Sequence, residues 1–194
     1  QEPEDVIHFI ELSEGTRNAY NYIVKHKLLD FTLSSTSRDY VLVCDSPIKL
    51  RTSLHMLEGG GLKIGDEYIE LDNKEKINFI LSRWGDTSDL AIMYQYIVEG
   101  TKLNKVFKNA RILQGQRYAE GVDLSGIKHL VIYSQDFSTA GHTQRRARQA
   151  NMARKDKIDV HFLLVKKAVS EQVYKTVSVN KTNFVDSVFE RNEL

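Results

Sequence analysis

Four short apolar runs in the second half of the chain restrict its fold more than any other feature. They are Leu90-Ala91-Ile92-Met93-Tyr94, Ala110-Arg111-Ile112-Leu113, His129-Leu130-Val131-Ile132-Tyr133 and Val160-His161-Phe162-Leu163-Leu164-Val165. None alternates cleanly between polar and apolar, so each reads as a strand buried on both faces. The stretches around them, residues 74–84, 99–108, 138–153 and 169–190, have helical spacing. Strands alternating with helices pair in parallel through crossovers. The expected fold is α/β: an open, mostly parallel sheet flanked by helices, with ligands beyond the carboxyl ends of its strands.

The first 72 residues lack this rhythm. They read as a mainly helical segment with a β-hairpin, ahead of a lobe over residues 73–194. Val6 to Leu12 reads as a strand. Ser13 then caps a helix through about Leu29, with Ala19, Tyr20, Ile23, Val24 and Leu28 at helical spacing. Thr32 to Asp39 reads as a polar link. Asp45 or Ser46 with Pro47 starts a second helix, which Gly59-Gly60-Gly61 stops. Leu62-Lys63-Ile64 and Glu67 to Leu71 flank Gly65-Asp66 as a hairpin.

Composition and missing motifs exclude several classes. A chain of 194 residues with nine tyrosines and eight phenylalanines buries a real core, and no run of eighteen apolar residues exists to span a membrane. The acidic start, Glu2 to Asp5, lacks the basic and apolar parts of a signal peptide, and one cysteine permits no internal disulfide. These features predict a cytoplasmic protein with no membrane partner. Phosphate-loop, dinucleotide and G-x-S-x-G patterns are absent, and the histidines lack metal-ligand spacing. The chain therefore shows no self-sufficient catalytic centre and no metal site. Its charge is uneven: residues 1–100 carry 10 Lys+Arg against 17 Asp+Glu, and residues 101–194 carry 17 against 9. The second half is the one suited to a polyanion.

Two segments carry chemistry. Gly121-Val122-Asp123-Leu124-Ser125-Gly126-Ile127 leads directly into the strand at His129. A glycine before an acid lets backbone approach a ligand while the carboxylate takes a hydroxyl. Gln144 to Arg154 follows that strand with three arginines in four residues. On a helix, Gln144, Arg148 and Asn151 share one face, and Arg145 and Arg146 point elsewhere.

In this order and spacing the two segments resemble motifs V and VI of superfamily 2 helicases, in the second RecA-like lobe. Leu12, Ser13 and Tyr20, and the run from Arg51 to Gly60, are similar to the corresponding stretches of SWI/SNF-type ATPases and their phage-encoded relatives. Two departures stand out. Asn151 occupies the place of the usual second motif VI arginine, and Gly115-Gln116 replaces the usual Thr-Asp or Ser-Thr ahead of motif V.

The resemblance implies a lobe that completes an ATP site shared with a first lobe, which holds most of the ATP and Mg²⁺. Arg148 is then the arginine finger, and Gly121, Asp123, Gln144 and Asn151 contact the nucleotide. Lys102, Arg117, Arg145 and Lys155 are candidates for nucleic-acid phosphates, with DNA the expected partner and RNA an alternative. The chain by itself is not expected to hydrolyse ATP. Two other readings stay open. One is a nucleic-acid-binding or protein-docking module that kept the lobe but lost the motor. The other is an unrelated α/β enzyme binding a phosphorylated metabolite.

Overall fold

The computed structural model describes residues 4–115, 124–139, 158–185 and 188–189. At its centre lies a sheet of five parallel strands in the order β1-β9-β8-β6-β7. These are β1 (Asp5–Phe9), β6 (Leu90–Tyr94), β7 (Arg111–Gln114), β8 (His129–Ile132) and β9 (Val160–Leu164). The four apolar runs thus become neighbouring strands, as their pattern demands. Ile92 aligns with Val131, and Ile132 with Phe162.

Both faces of the sheet are buried. Leu90, Ile92, Val131, Tyr133, Leu163 and Val165 belong to the larger cluster, which includes Ile77 and Ile80 of α3 (Glu75–Arg83). Ala91, Met93, Leu130, Ile132, Phe162 and Leu164 form the other face with Leu124 and Ile127. Fully burying one such aliphatic side chain contributes about 1.5–3 kcal/mol. Adjacent residues in a strand serve opposite clusters, which is why the runs are apolar without alternation.

The helix-capping signals act as the sequence implies. Ser13 accepts the Thr16 N–H at the start of α1 (Glu14–His26), and Ser46 accepts the Lys49 N–H at the start of α2 (Pro47–Glu58). Gly60, at φ +91, ends the α2 region in a conformation that disfavours side chains. Strands β4 (Gly61–Ile64) and β5 (Glu67–Glu70) pair across Gly65, with Leu62 opposite Ile69 in the core.

Three expectations need correction. The division at residue 72 does not divide the packing: β1 is an edge strand of the central sheet, hydrogen-bonded to β9. Ile10, Tyr20, Ile23, Leu54 and Leu57 share one cluster with Ile92 and Val131. The supposed helix tail and polar link at residues 28–39 form most of a second hairpin, β2 (Leu28–Leu33) with β3 (Arg38–Val43). Lys27 ends α1 in the left-handed region, and Leu33, Tyr40 and Leu42 then turn inward.

The long C-terminal helix is interrupted too. Helix α5 (Val169–Val173) passes into a π-helical stretch, Tyr174–Val179, and ends before Lys181 at φ 57. The chain then turns Phe184 back into the core, where its N–H donates to the Phe137 carbonyl. Among the described residues no helix is long and apolar enough to cross a membrane.

Candidate functional site

From β6 the chain crosses through α4 (Ile97–Val106) to β7 on one side, and β8 lies on β6's other side. The crevice beyond the carboxyl ends of β6 and β8 is therefore the sheet's topological switch point, where open α/β sheets bind ligands. Its described walls are Gln95-Tyr96, the first turn of α4, and the exit of β8 from Tyr133 to Asp136.

Glu99 holds these walls together. Its Oε1 accepts the N–H groups of Gln95 at 3.1 Å and Tyr96 at 3.0 Å, and the Ser134 hydroxyl. Ser134 Oγ in turn accepts the Gln95 N–H at 3.1 Å. The ends of β6 and β8 are thus tied through one carboxylate, which also satisfies the start of α4. Glu99 Oε2 is buried and has no hydrogen-bond partner among the described residues. Burial pushes the Glu99 carboxyl above its ordinary pKa, against the pull of Lys76 and its hydrogen bonds.

Beneath the crevice lies a buried charged hub. Lys76 Nζ donates to the Tyr133 carbonyl at 2.5 Å, and the Tyr133 hydroxyl donates to the Gly59 carbonyl at 2.6 Å. Glu58, at the end of α2, accepts the Ser170 N–H at 3.1 Å and the Ser170 hydroxyl, capping α5 from outside. Burial raises Glu58 to about 7, opposed by Lys76 and Ser170. It lowers Lys76, opposed by Glu58 and Glu99. The ends of α2, α3, α4 and α5 therefore meet at β8. No local pattern of residues marks this meeting. Glu58, Lys76 and Glu99 sit on amphipathic helices where charges ordinarily face water.

Beyond Ser134 the chain is clamped from α2. Phe137 stacks on His55 with centroids 5.2 Å apart, and the Arg51 guanidinium lies 5.0 Å from its ring. Arg51 also donates to the Phe184 carbonyl at 2.9 Å, and His55 Nδ1 lies 2.7 Å from the Tyr96 hydroxyl. Asn183 Oδ1 accepts from both the N–H and the hydroxyl of Thr139. The segment leading towards Gln144 thus leaves β8 along a fixed path as far as Thr139.

Of the expected site residues, Gly121, Asp123, Arg117, Gln144, Arg145, Arg148, Asn151 and Lys155 lie outside the described residues. The end of the first segment is described: Leu124 and Ile127 are buried against the sheet, and Gly126 turns at φ +87. Lys102 is placed differently from the expectation of a nucleic-acid contact. It is 2% exposed, and its Nζ donates to the carbonyls of Gly60, Leu71 and Asn73 at 3.2, 2.9 and 2.6 Å. An ammonium has three donors, so none is left for a phosphate. Lys102 fastens α4 to the two ends of the β4–β5 hairpin. No group of three His, Cys, Asp or Glu among the described residues could hold a metal ion.

No protein-family model matches the chain, and no curated protein is similar to it in sequence. Solved structures do match in fold. One is a crystal structure of the C-terminal part of the Fun30 ATPase domain, with a TM-score of 0.61 over 99% of this chain and 96% of that one. The identity is 10%, so the likeness is one of fold. The chain has the architecture of a RecA-like lobe, with two antiparallel hairpins added to the parallel sheet.

Proposed function

We propose that this chain is the second RecA-like lobe of an ATP-driven nucleic-acid motor. The observation that carries the reading is the position of β8. The Gly121 to Ile127 run leads into it, the Gln144 to Asn151 run follows it in sequence, and β8 borders the switch-point crevice. The likeness in fold to an ATPase lobe supports the same reading.

The described polar groups fit a nucleotide phosphate only if positive charge comes from elsewhere. Glu99 and Ser134 are engaged with each other, and Lys76 and Arg51 are buried on the Tyr133 and Phe184 carbonyls. The arginine run after Thr139 is the source of that charge. ATP with Mg²⁺, held mainly by a first lobe, supplies the bond whose cleavage drives movement. Arg148 stabilises charge on the transferring phosphoryl group, a role worth roughly 10³–10⁵ in rate. Gln144 and Asn151 orient the arginine face, Gly121 allows close backbone approach, and Asp123 takes a sugar hydroxyl. Arg117, Arg145 and Lys155 meet phosphates of the nucleic acid, DNA in the first instance and RNA as the alternative. Lys102 is excluded from that set by its carbonyl bonds.

A salt series of nucleic-acid binding by the chain, followed by fluorescence anisotropy, tests this function. Phosphate contacts release counterions, so affinity should fall steeply with salt and depend little on base sequence. Affinity indifferent to salt, or tight binding of a small phosphorylated metabolite without any nucleic-acid affinity, would refute it.

A further inference from the structure

Strands β1 and β9 end side by side, Phe9 aligned with Leu164, and the Ile10 N–H donates to the Leu164 carbonyl at 2.7 Å. At this corner of the sheet's carboxyl edge Phe9 is 52% exposed, between half-buried His8 and buried Ile10. Lys166 Nζ lies 5.9 Å from the Phe9 ring centroid, within cation–π reach. Lys167 follows at φ 60, its backbone N–H held at 3.0 Å by Glu171 Oε1. Both lysines are exposed, and among the described residues neither ammonium pairs with a carboxylate. Lys175 adds a third cation, its Nζ 3.8 Å from the same Glu171 oxygen. The turn is fixed by its backbone while the ammonium groups and the ring stay open to solvent.

We propose that Phe9, Lys166 and Lys167 form a contact for single-stranded nucleic acid, in which a base stacks on Phe9 and the two lysines hold the adjoining phosphates. This rests on the motor reading and adds a strand preference to it. A solvent-exposed aromatic ring takes any unpaired base, whereas the bases of a duplex are already stacked and present no face. The corner lies on the same edge of the sheet as the crevice. From β1 it is two strands across to β8, about 10 Å at the usual strand spacing. Unpaired lysines beside an exposed ring favour a polyanion with π faces over an apolar protein surface.

The test uses the chain itself, with labelled oligothymidylate and a labelled duplex. Phe9→Leu keeps an apolar side chain on the strand but removes the ring. It should weaken single-strand binding by roughly fivefold or more and leave duplex binding unchanged. Phe9→Trp should bind as the parent does, with its emission quenched at saturation. Replacing Lys166 and Lys167 by Gln should flatten the salt dependence for single strands by about 0.7 for each lysine. Single-strand affinity of Phe9→Leu within about twofold of the parent, or Trp emission unmoved by saturating oligonucleotide, would overturn the contact. So would a dimer of the parent chain in sedimentation that Phe9→Leu abolishes, because the ring would then be covering a second copy. A parent chain that binds neither oligonucleotide would overturn the motor reading itself.

Discussion

Replacing Glu58 by Gln should change how the stability of this protein depends on pH. Glu58 is 1% exposed, and burial lifts its carboxyl from an ordinary 4.5 to about 7. The folded state therefore binds this proton more tightly than the unfolded state does. The resulting stability is fully present below 4.5 and is lost as pH rises through about 7. At about 1.4 kcal/mol for each pKa unit, the swing is about 3 kcal/mol. Gln cannot ionise and can keep an acceptor towards Ser170. Urea unfolding of parent and variant at several pH values between 5 and 8 isolates the effect, since other titrating groups are common to both chains. The parent should lose about 2–3 kcal/mol relative to Glu58→Gln across that range. A difference between the two that stays constant with pH would mean that Glu58 titrates alike in folded and unfolded chains and would contradict this.

Two further perturbations follow from the same geometry. His8 Nε2 lies 2.8 Å from His161 Nδ1, and burial lowers His161 to about 4, so acid should remove stability progressively as pH falls from 6.5 through 4. Nuclear magnetic resonance titration of the His161 ring checks this, and an ordinary imidazole midpoint there would contradict it. Lys102→Ala leaves three carbonyls short of a donor and should destabilise the fold by about 2–4 kcal/mol in thermal or urea unfolding, without changing nucleic-acid affinity at temperatures where the variant is folded.

Local chemistry made some elements legible. Ser13 and Ser46 are caps because their hydroxyls satisfy orphan N–H groups within one turn, and Gly65 turns a hairpin at φ +60, which side chains resist. The four apolar strands declared themselves because burial on both faces leaves no room for polar residues. What stayed hidden depends on distance along the chain. His8 and His161 are 153 residues apart, and no local pattern states that β1 completes the sheet. Leu28-Leu29 continues the helical period of α1, which hid the hairpin that begins there. Lys102 resembles any surface lysine until the Gly60 and Leu71 carbonyls arrive from other elements. The resemblance to motifs V and VI rests on residues that fall mostly outside the described ones, so the site's chemistry comes from sequence and its framework from structure.

The proposed motor function is tested most directly by ATP turnover of a protein that joins this chain to the first lobe proposed for it, with Arg148 and Arg154 replaced separately by Ala. On a continuous helix Arg154 lies about 240° beyond Arg148, away from the face of Gln144 and Asn151. With the proposed role of Arg148 in the transition state, Arg148→Ala should cut turnover by roughly 10³-fold with nucleotide binding nearly intact. Arg154→Ala should cost less than about tenfold. Turnover that survives Arg148→Ala, or falls equally with either change, would contradict the assignment of this chain as the lobe that supplies a single arginine finger.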